Sequence, residues 1–229
     1  LEDLKDYRKN ELRAYVIANI ALVLFLSGIL DVNTNSASSA PMGIVVAIAN
    51  SAIFTAATYC YAVIFESMLP EQLKHFSIYL GFTHRPGETI FSDIAKKNCD
   101  MRFTSERARE RYAHIYSRLP ETKKLRFKVE NEEWYALFNT VRAHKMIYGA
   151  HKDYLICRSL YCTTFALLFL YLTAILCSEL TLKKFVLVYF GIMLVSLNIA
   201  TRFNAKRLAY NVIALDVQQV AKREENSNG

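Results

Sequence analysis

Charge is missing from four long intervals of this chain. No Asp, Glu, Lys or Arg occurs in 14–30, 32–65, 159–178 or 185–201. A helix needs about 20 apolar residues to cross the hydrocarbon of a bilayer, with about 17 as the lower limit. Each interval is long enough. Inside lipid every peptide group must find its partner within its own segment, so such runs fold as helices. The expected fold is therefore an all-α integral membrane protein, and ordinary soluble enzymes are excluded. Charged residues make up only 21% of the chain, against about 25% in soluble domains.

Four spans are expected: Ala14–Leu30, Pro41–Phe65, Ser159–Ser178 and Phe185–Thr201. A signal peptide is the rival for the first. Against it stand the charge-rich residues before the run and Asp31 after it, without a clear cleavage box. The second run is longer but less apolar, with Asn50, Ser51, Thr55 and Thr58 inside it. The last two are separated only by Glu179–Lys184, which suits a tight hairpin.

Lys and Arg set the orientation, because cytoplasmic loops carry them in excess. Of the 28 Lys and Arg, all but Lys183 and Lys184 fall in Leu1–Arg13, Glu66–Arg158 or the tail from Arg202. Those segments belong to one side, the cytoplasm. The expected layout is a cytosolic N-terminal helix (1–13), a transmembrane hairpin (14–65), a cytosolic helical sensing or assembly domain (66–158), a second hairpin (159–201) and a cytosolic C-terminal helix and tail (202–229). This describes a multi-pass protein of the cell inner membrane with both termini cytoplasmic. Its first partner is the lipid bilayer. The five Cys, 60, 99, 157, 162 and 177, are an odd number on or near a reducing side, so free thiols are expected.

The insert reads as helices. Pro70 suits the start of a helix over Glu71–Leu80, and Gly81–Gly87 reads as a loop with a turn at Pro86–Gly87. Thr104 or Ser105 caps a helix through Arg118, and Pro120 ends it. Leu125, Phe127 and Val129 alternate with Arg126 and Lys128, a strand signal over five residues. Asn131 caps the next helix, whose pattern can run through Arg158 into the third span as one long helix, a point that Gly149 leaves open. In the tail, Phe203, Leu208, Val212, Leu215 and Gln219 keep helical spacing, and Lys222–Gly229 reads as frayed.

No HExxH, paired CxxC, GxGxxG, Walker or GxSxG motif is present, and an enzyme has no residue-level support. No cofactor and no metal site are expected. His144 and His151 share a helix face at seven residues' spacing but have no matching carboxylate. Two features remain. The first is a basic cluster with aromatics interleaved: Arg107, Arg111, Lys123, Lys124, Arg126, Lys128, Arg142 and Lys145, with Tyr112, Tyr116, Phe127, Trp134 and Tyr148. Cations for phosphates and flat rings for bases are what a nucleotide or oligonucleotide requires. Positive-inside topology and lipid headgroups explain the same charges. Glu106, Glu110, Glu121, Glu130 and Glu132 neutralise part of them. The second feature is the stripe Gly43, Ala47, Ser51, Thr55, continued by Thr58 and Ala62, with Asn50 beside it. Small residues at this spacing make a helix-packing seam. Alternatively Ala47, Asn50, Ser51, Thr55 and Thr58 line a pore formed by several copies.

This layout, a few spans joined to a basic cytosolic region, resembles small bacterial membrane effectors of anti-phage defence. It is most similar to the four-span effector of Hailong systems, with the Kiwa membrane subunit second. The resemblance implies a homotetrameric, ligand-gated ion channel or pore. It also implies an oligodeoxyadenylate-type signal made by a nucleotidyltransferase partner. The basic and aromatic residues would then hold the ligand. The alternative is a non-conducting membrane scaffold that recruits a cytosolic partner protein encoded nearby. A housekeeping transporter ranks below both, since no inverted repeat is visible.

Overall fold

The computed structural model describes the backbone of residues 2–26, 41–80, 84–97, 100–177 and 182–227, and side chains over 10–26, 52–80, 84–97, 100–177 and 182–219. Those residues form helices α1 (Glu2–Leu26), α2 (Pro41–Met68), α3 (Glu71–Tyr79), α4 (Pro86–Lys96), α5 (Ser105–Arg111), α6 (Ala113–Tyr116), α7 (Lys123–Val141), α8 (Lys145–Cys177) and α9 (Lys184–Ser227). No strand occurs among the described residues. They divide into two compact units, one from Leu1–Lys74 and Ile156–Ala200, the other from His75–Leu155 and Thr201–Gly229.

The first unit has its polarity reversed. Phe165, Phe169, Leu172 and Leu176 on α8 face outward, as do Phe185, Val188, Ile192, Val195 and Ile199 on α9. Asn19, Thr58, Glu66, Ser159, Thr163 and Thr164 are buried. Water would drive the opposite arrangement, because exposed apolar area is unfavourable at about 25 cal/mol per Å². Small apolar clusters fill the gaps: Val16, Ile20 and Ala62 between α1 and α2, and Leu167, Val186 and Phe190 between α8 and α9. Among the described residues two helices, α8 and α9, are long and apolar enough to cross a membrane, or three segments if α2 and α3 count as one bent span. The described apolar part of α1 stops at Leu26, so the rest of the first expected run lies outside the described residues.

The second unit is built like a soluble domain, around α9. Leu208, Ala209, Tyr210, Val212, Ile213, Ala214, Leu215 and Val217 are all buried. Ile90, Phe91 and Ile94 of α4, with Ala108, Tyr112 and Ile115, pack on one side of α9. Phe138, Val141, Ile147 and Ala150 pack on another. Trp134 and Leu137 of α7 touch both clusters.

Several sequence expectations change. Leu125–Val129 is helical, not a strand, and Asn131 lies within α7 instead of capping it. Five alternating residues fit either period; what decides is Glu130, Trp134, Phe138 and Val141 recurring at helical spacing on the inward side. The helix expected from Asn131 to Arg158 breaks at 142–144, and a new helix starts at Lys145 and passes Gly149 without interruption. The helix expected from 105 to 118 is two pieces meeting at Tyr112, whose ring is buried against α9 residues. Thr104 does cap the first piece, its hydroxyl accepting the Arg107 N–H at 3.3 Å. Pro86–Gly87 opens α4 instead of making a turn, with the Arg85 N–H donated to Glu88 at 2.9 Å. A Cβ at Gly87 would sit 2.9 Å from the Trp134 ring, so glycine is what lets α4 and α7 approach. In the tail, Phe203 is exposed, and the helix continues to Ser227.

Candidate functional site

The basic cluster is the first candidate, and the structure divides it. Arg111 is held by Asp216 of α9, its Nε 3.1 Å from Oδ2 and its Nη2 3.3 Å from Oδ1. Arg126 donates to the carbonyls of Pro120 and Glu121, at 3.0 and 3.4 Å. Lys128 lies 3.9 Å from Glu132. Outside the expected set, Arg102 pairs with Asp100 and donates to Asn211 Oδ1 at 2.7 Å, and Arg118 donates to Glu133 at 3.1 Å. These guanidiniums tie loops and short helices to the body of the second unit.

Arg107, Lys123, Lys124, Arg142 and Lys145 remain exposed. Lys123 and Lys124 open α7, which has no acidic residue in its first turn and no side-chain cap from Thr122. Lys145 opens α8, again with no acid in the first turn. A helix N-terminus carries partial positive charge and free N–H donors, so a lysine there adds like charge. The start of α7 therefore favours an anion, while at the start of α8 the His144 ring already accepts the Met146 N–H and the lysine charge remains. Of the interleaved rings, Tyr112 is fully buried and Trp134 stacks on Phe138 with centroids 5.5 Å apart. Phe127 is covered by His84 at 3.9 Å. Tyr112 and Trp134 are therefore packed into the unit and are not platforms for bases, while Phe127 is half-buried against His84.

Glu130 is a second correction. It neutralises no surface cation, being completely buried. Its carboxylate accepts the N–H groups of Phe91 and Ser92, each at 3.1 Å, and the Ser92 hydroxyl. Burial raises its pKa above the ordinary carboxylate value, and the hydrogen bonds oppose that shift. Beside it, burial first and the Glu130 charge second push Tyr116 up to about 12. Asp216 is a similar anchor: besides Arg111 it accepts the Tyr112 hydroxyl at 2.9 Å. Burial, then Asp216, raise the pKa of Tyr112, so it stays a donor. Neither acid was legible as a site. Asp216 is a lone carboxylate in an apolar stretch, and its partners lie more than a hundred residues away.

The second candidate is the polar interior of the first unit. Ala47, Asn50 and Ser51 lie on α2, but their side chains are outside the described residues. Thr55 is half-buried. Thr58 is buried within the single chain and donates to Phe54 O at 2.9 Å, so it lines no surface between copies. Other residues supply the polar interior. Ser159 donates to Glu66 at 2.8 Å. Tyr15 and Thr164 share a hydrogen bond of 2.7 Å; Thr164 spends its own proton on Leu160 O, so Tyr15 is the donor. Tyr189 donates to Asn19 Oδ1 at 2.7 Å, and Asn19 donates to Tyr15 O at 2.8 Å. The Thr163 hydroxyl is buried with no partner among the described residues. These bonds bind α1, α2, α8 and α9 together where the hydrophobic effect supplies little.

His144 and His151 have separate tasks: His144 Nδ1 accepts the Met146 N–H at 3.3 Å, and His151 meets the edge of Phe138 at 5.1 Å. Cys60, Cys157, Cys162 and Cys177 are free thiols; Cys99 lies outside the described residues. Compared with known protein families, curated proteins and solved structures, the chain matches none of them.

Proposed function

We propose that this chain is a four-span membrane effector with its first unit in the bilayer and its second unit in the cytosol. The supporting observation is the reversed polarity of the first unit, phenylalanine and leucine outside with threonine, asparagine and glutamate inside. Lipid is the surroundings in which that arrangement is stable. The role is binding and permeation, not catalysis. An anionic ligand of nucleotide or oligonucleotide type engages Lys123, Lys124 and Lys145 at the two helix starts. Several copies assemble, and ligand binding changes their ion permeability. The resemblance to anti-phage effectors supplies the context and suggests four copies.

A non-conducting scaffold is the alternative. It is favoured by the loss of Arg102, Arg111, Arg118 and Arg126 to contacts inside the second unit. Flux separates the two. Purified protein in liposomes should release trapped ions on addition of short oligodeoxynucleotides or cyclic nucleotides, and a scaffold should not. Binding should weaken with salt because phosphate contacts release counterions. Replacing Lys123 and Lys124 by Ala should reduce the slope of log K against log salt by about one per lost contact. An unchanged slope removes these lysines from the site, and no binding at any salt leaves the scaffold in front.

A further inference from the structure

The segment that joins α2 to α4 has an uncovered apolar face. Helix α3 bends away from the last turns of α2 by 94°. At about 100° per residue, Leu73 and Phe76 lie about 60° apart around its axis, and Leu80 follows directly after its last residue. Their exposures are 52%, 62% and 51%, and Met68 at the end of α2 is 76% exposed. On the opposite side Lys74 and Ile78 are buried. So α3 turns Lys74, Ile78 and Tyr79 toward protein, while Leu73 and Phe76, with Leu80 just past its end, face out.

Each end of α3 is tied to the arginine that closes an apolar run. Near its start, Arg158 donates to Glu71 at 2.8 Å, and Lys74 lies 3.3 Å from the same carboxylate. Arg158 is the last charge before the apolar stretch of α8. Near its end, Arg202 donates to Ile78 O at 2.9 Å, and its guanidinium lies 5.9 Å from the Tyr79 ring centroid. Arg202 is the first charge after the apolar stretch of α9. Charged residues of this kind mark the level where hydrocarbon gives way to headgroups. Leu80 adds one more sign. It closes the helix at φ 52°, the left-handed region where glycine is usual. A leucine there is strained, and burial of its side chain in lipid would offset that strain.

We infer that α3 lies along the cytosolic surface of the membrane, with Leu73, Phe76 and Leu80 sunk into the boundary between headgroups and acyl chains. The occupant of this face is the bilayer, because the face continues from the exposed end of the α2 segment and is tethered at both ends by boundary arginines. An interfacial helix of this kind buries its apolar side about 5–10 Å into the leaflet. The inference rests on the membrane placement proposed above.

Depth-dependent quenching tests it in the full-length protein. A fluorophore is placed at Phe76→Cys, in phosphatidylcholine vesicles carrying a nitroxide either near the headgroup or deep in the chain. Leu73→Cys is a second site should the first variant fold poorly, and wild-type protein labelled in parallel gives the background of the native thiols. Phe169→Cys on α8 is the control for membrane placement, and Glu132→Cys the control for water. The expected result is quenching at Phe76 that is stronger from the shallow nitroxide, deep quenching at Phe169, and none at Glu132. Stronger deep quenching at Phe76 overturns the inference in favour of a broken span. No quenching at Phe76 with disulfide cross-linking between copies overturns it in favour of a protein contact. No quenching at Phe76 without cross-linking overturns it in favour of solvent. If Phe169 itself escapes quenching, the membrane placement fails and the inference with it.

Discussion

Glu130 links the stability of the second unit to pH. It is a carboxylate with no exposure to water, supported by two backbone N–H groups and a serine hydroxyl. Its pKa in the fold lies above the ordinary value of 4.5 because burial penalises the charge. The folded chain therefore holds this proton to higher pH than the unfolded chain. Its contribution to stability is full below about 4.5 and declines as pH rises through the folded value. Asp100 has the opposite sign. Its bond to Arg102 lowers it below 3.8, so its contribution is present above that value and is lost as pH falls through the folded one. Trp134 is the chain's single tryptophan and lies in the second unit, so its fluorescence reports this unit alone. Thermal unfolding of full-length protein followed at Trp134 should show that Glu130→Gln raises Tm relative to wild type as pH climbs from 4 to 8. A constant difference across that range would mean that Glu130 does not titrate with folding.

At the scale of elements, helix α9 organises the second unit, and Asp216 is its polar anchor. Replacing Asp216 by Ala strands the buried Tyr112 hydroxyl and frees Arg111. An unsatisfied buried donor costs about 1–3 kcal/mol. The half-exposed arginine adds little, since solvent screens it. The variant should unfold at lower denaturant with an unchanged m-value. Stability equal to wild type would mean that the packing of Val212, Ile213 and Val217 holds α9 unaided. Asp216→Asn, which keeps an acceptor for Tyr112, should recover part of the loss.

Elements also show how far the sequence could be read. The apolar runs behind α8 and α9 were plain because absence of charge over 17 or more residues has few causes. The helical period of α7 was hidden by alternation at Leu125–Val129, where lysine and arginine stems follow hydrophobes on either template. Arg107, Lys123 and Lys124 could be chosen by residue type. That Arg111 was already paired could not, because Asp216 reaches it only through the packing of α9. The polar interior was visible as scattered hydroxyls and amides, but which of them meet depends on helix rotation, which local pattern does not encode. Thr58 illustrates this: it belongs to the small-residue stripe by spacing and to the interior by structure.

At the scale of the whole molecule, the account depends on which compartment each unit occupies. Apolar faces on α8 and α9 need lipid, and the lysines at the starts of α7 and α8 need the cytosol if they are to meet a nucleotide-type anion. Accessibility of single thiols measures this directly. With the five native cysteines replaced by Ala, Ser38→Cys and Lys123→Cys are each exposed to a membrane-impermeant maleimide on intact cells, then again after permeabilisation. Labelling of Ser38→Cys in intact cells and of Lys123→Cys only after permeabilisation is the predicted result. Labelling of Lys123→Cys in intact cells would contradict it, because the second unit would then lie outside the compartment in which the proposed ligand is made.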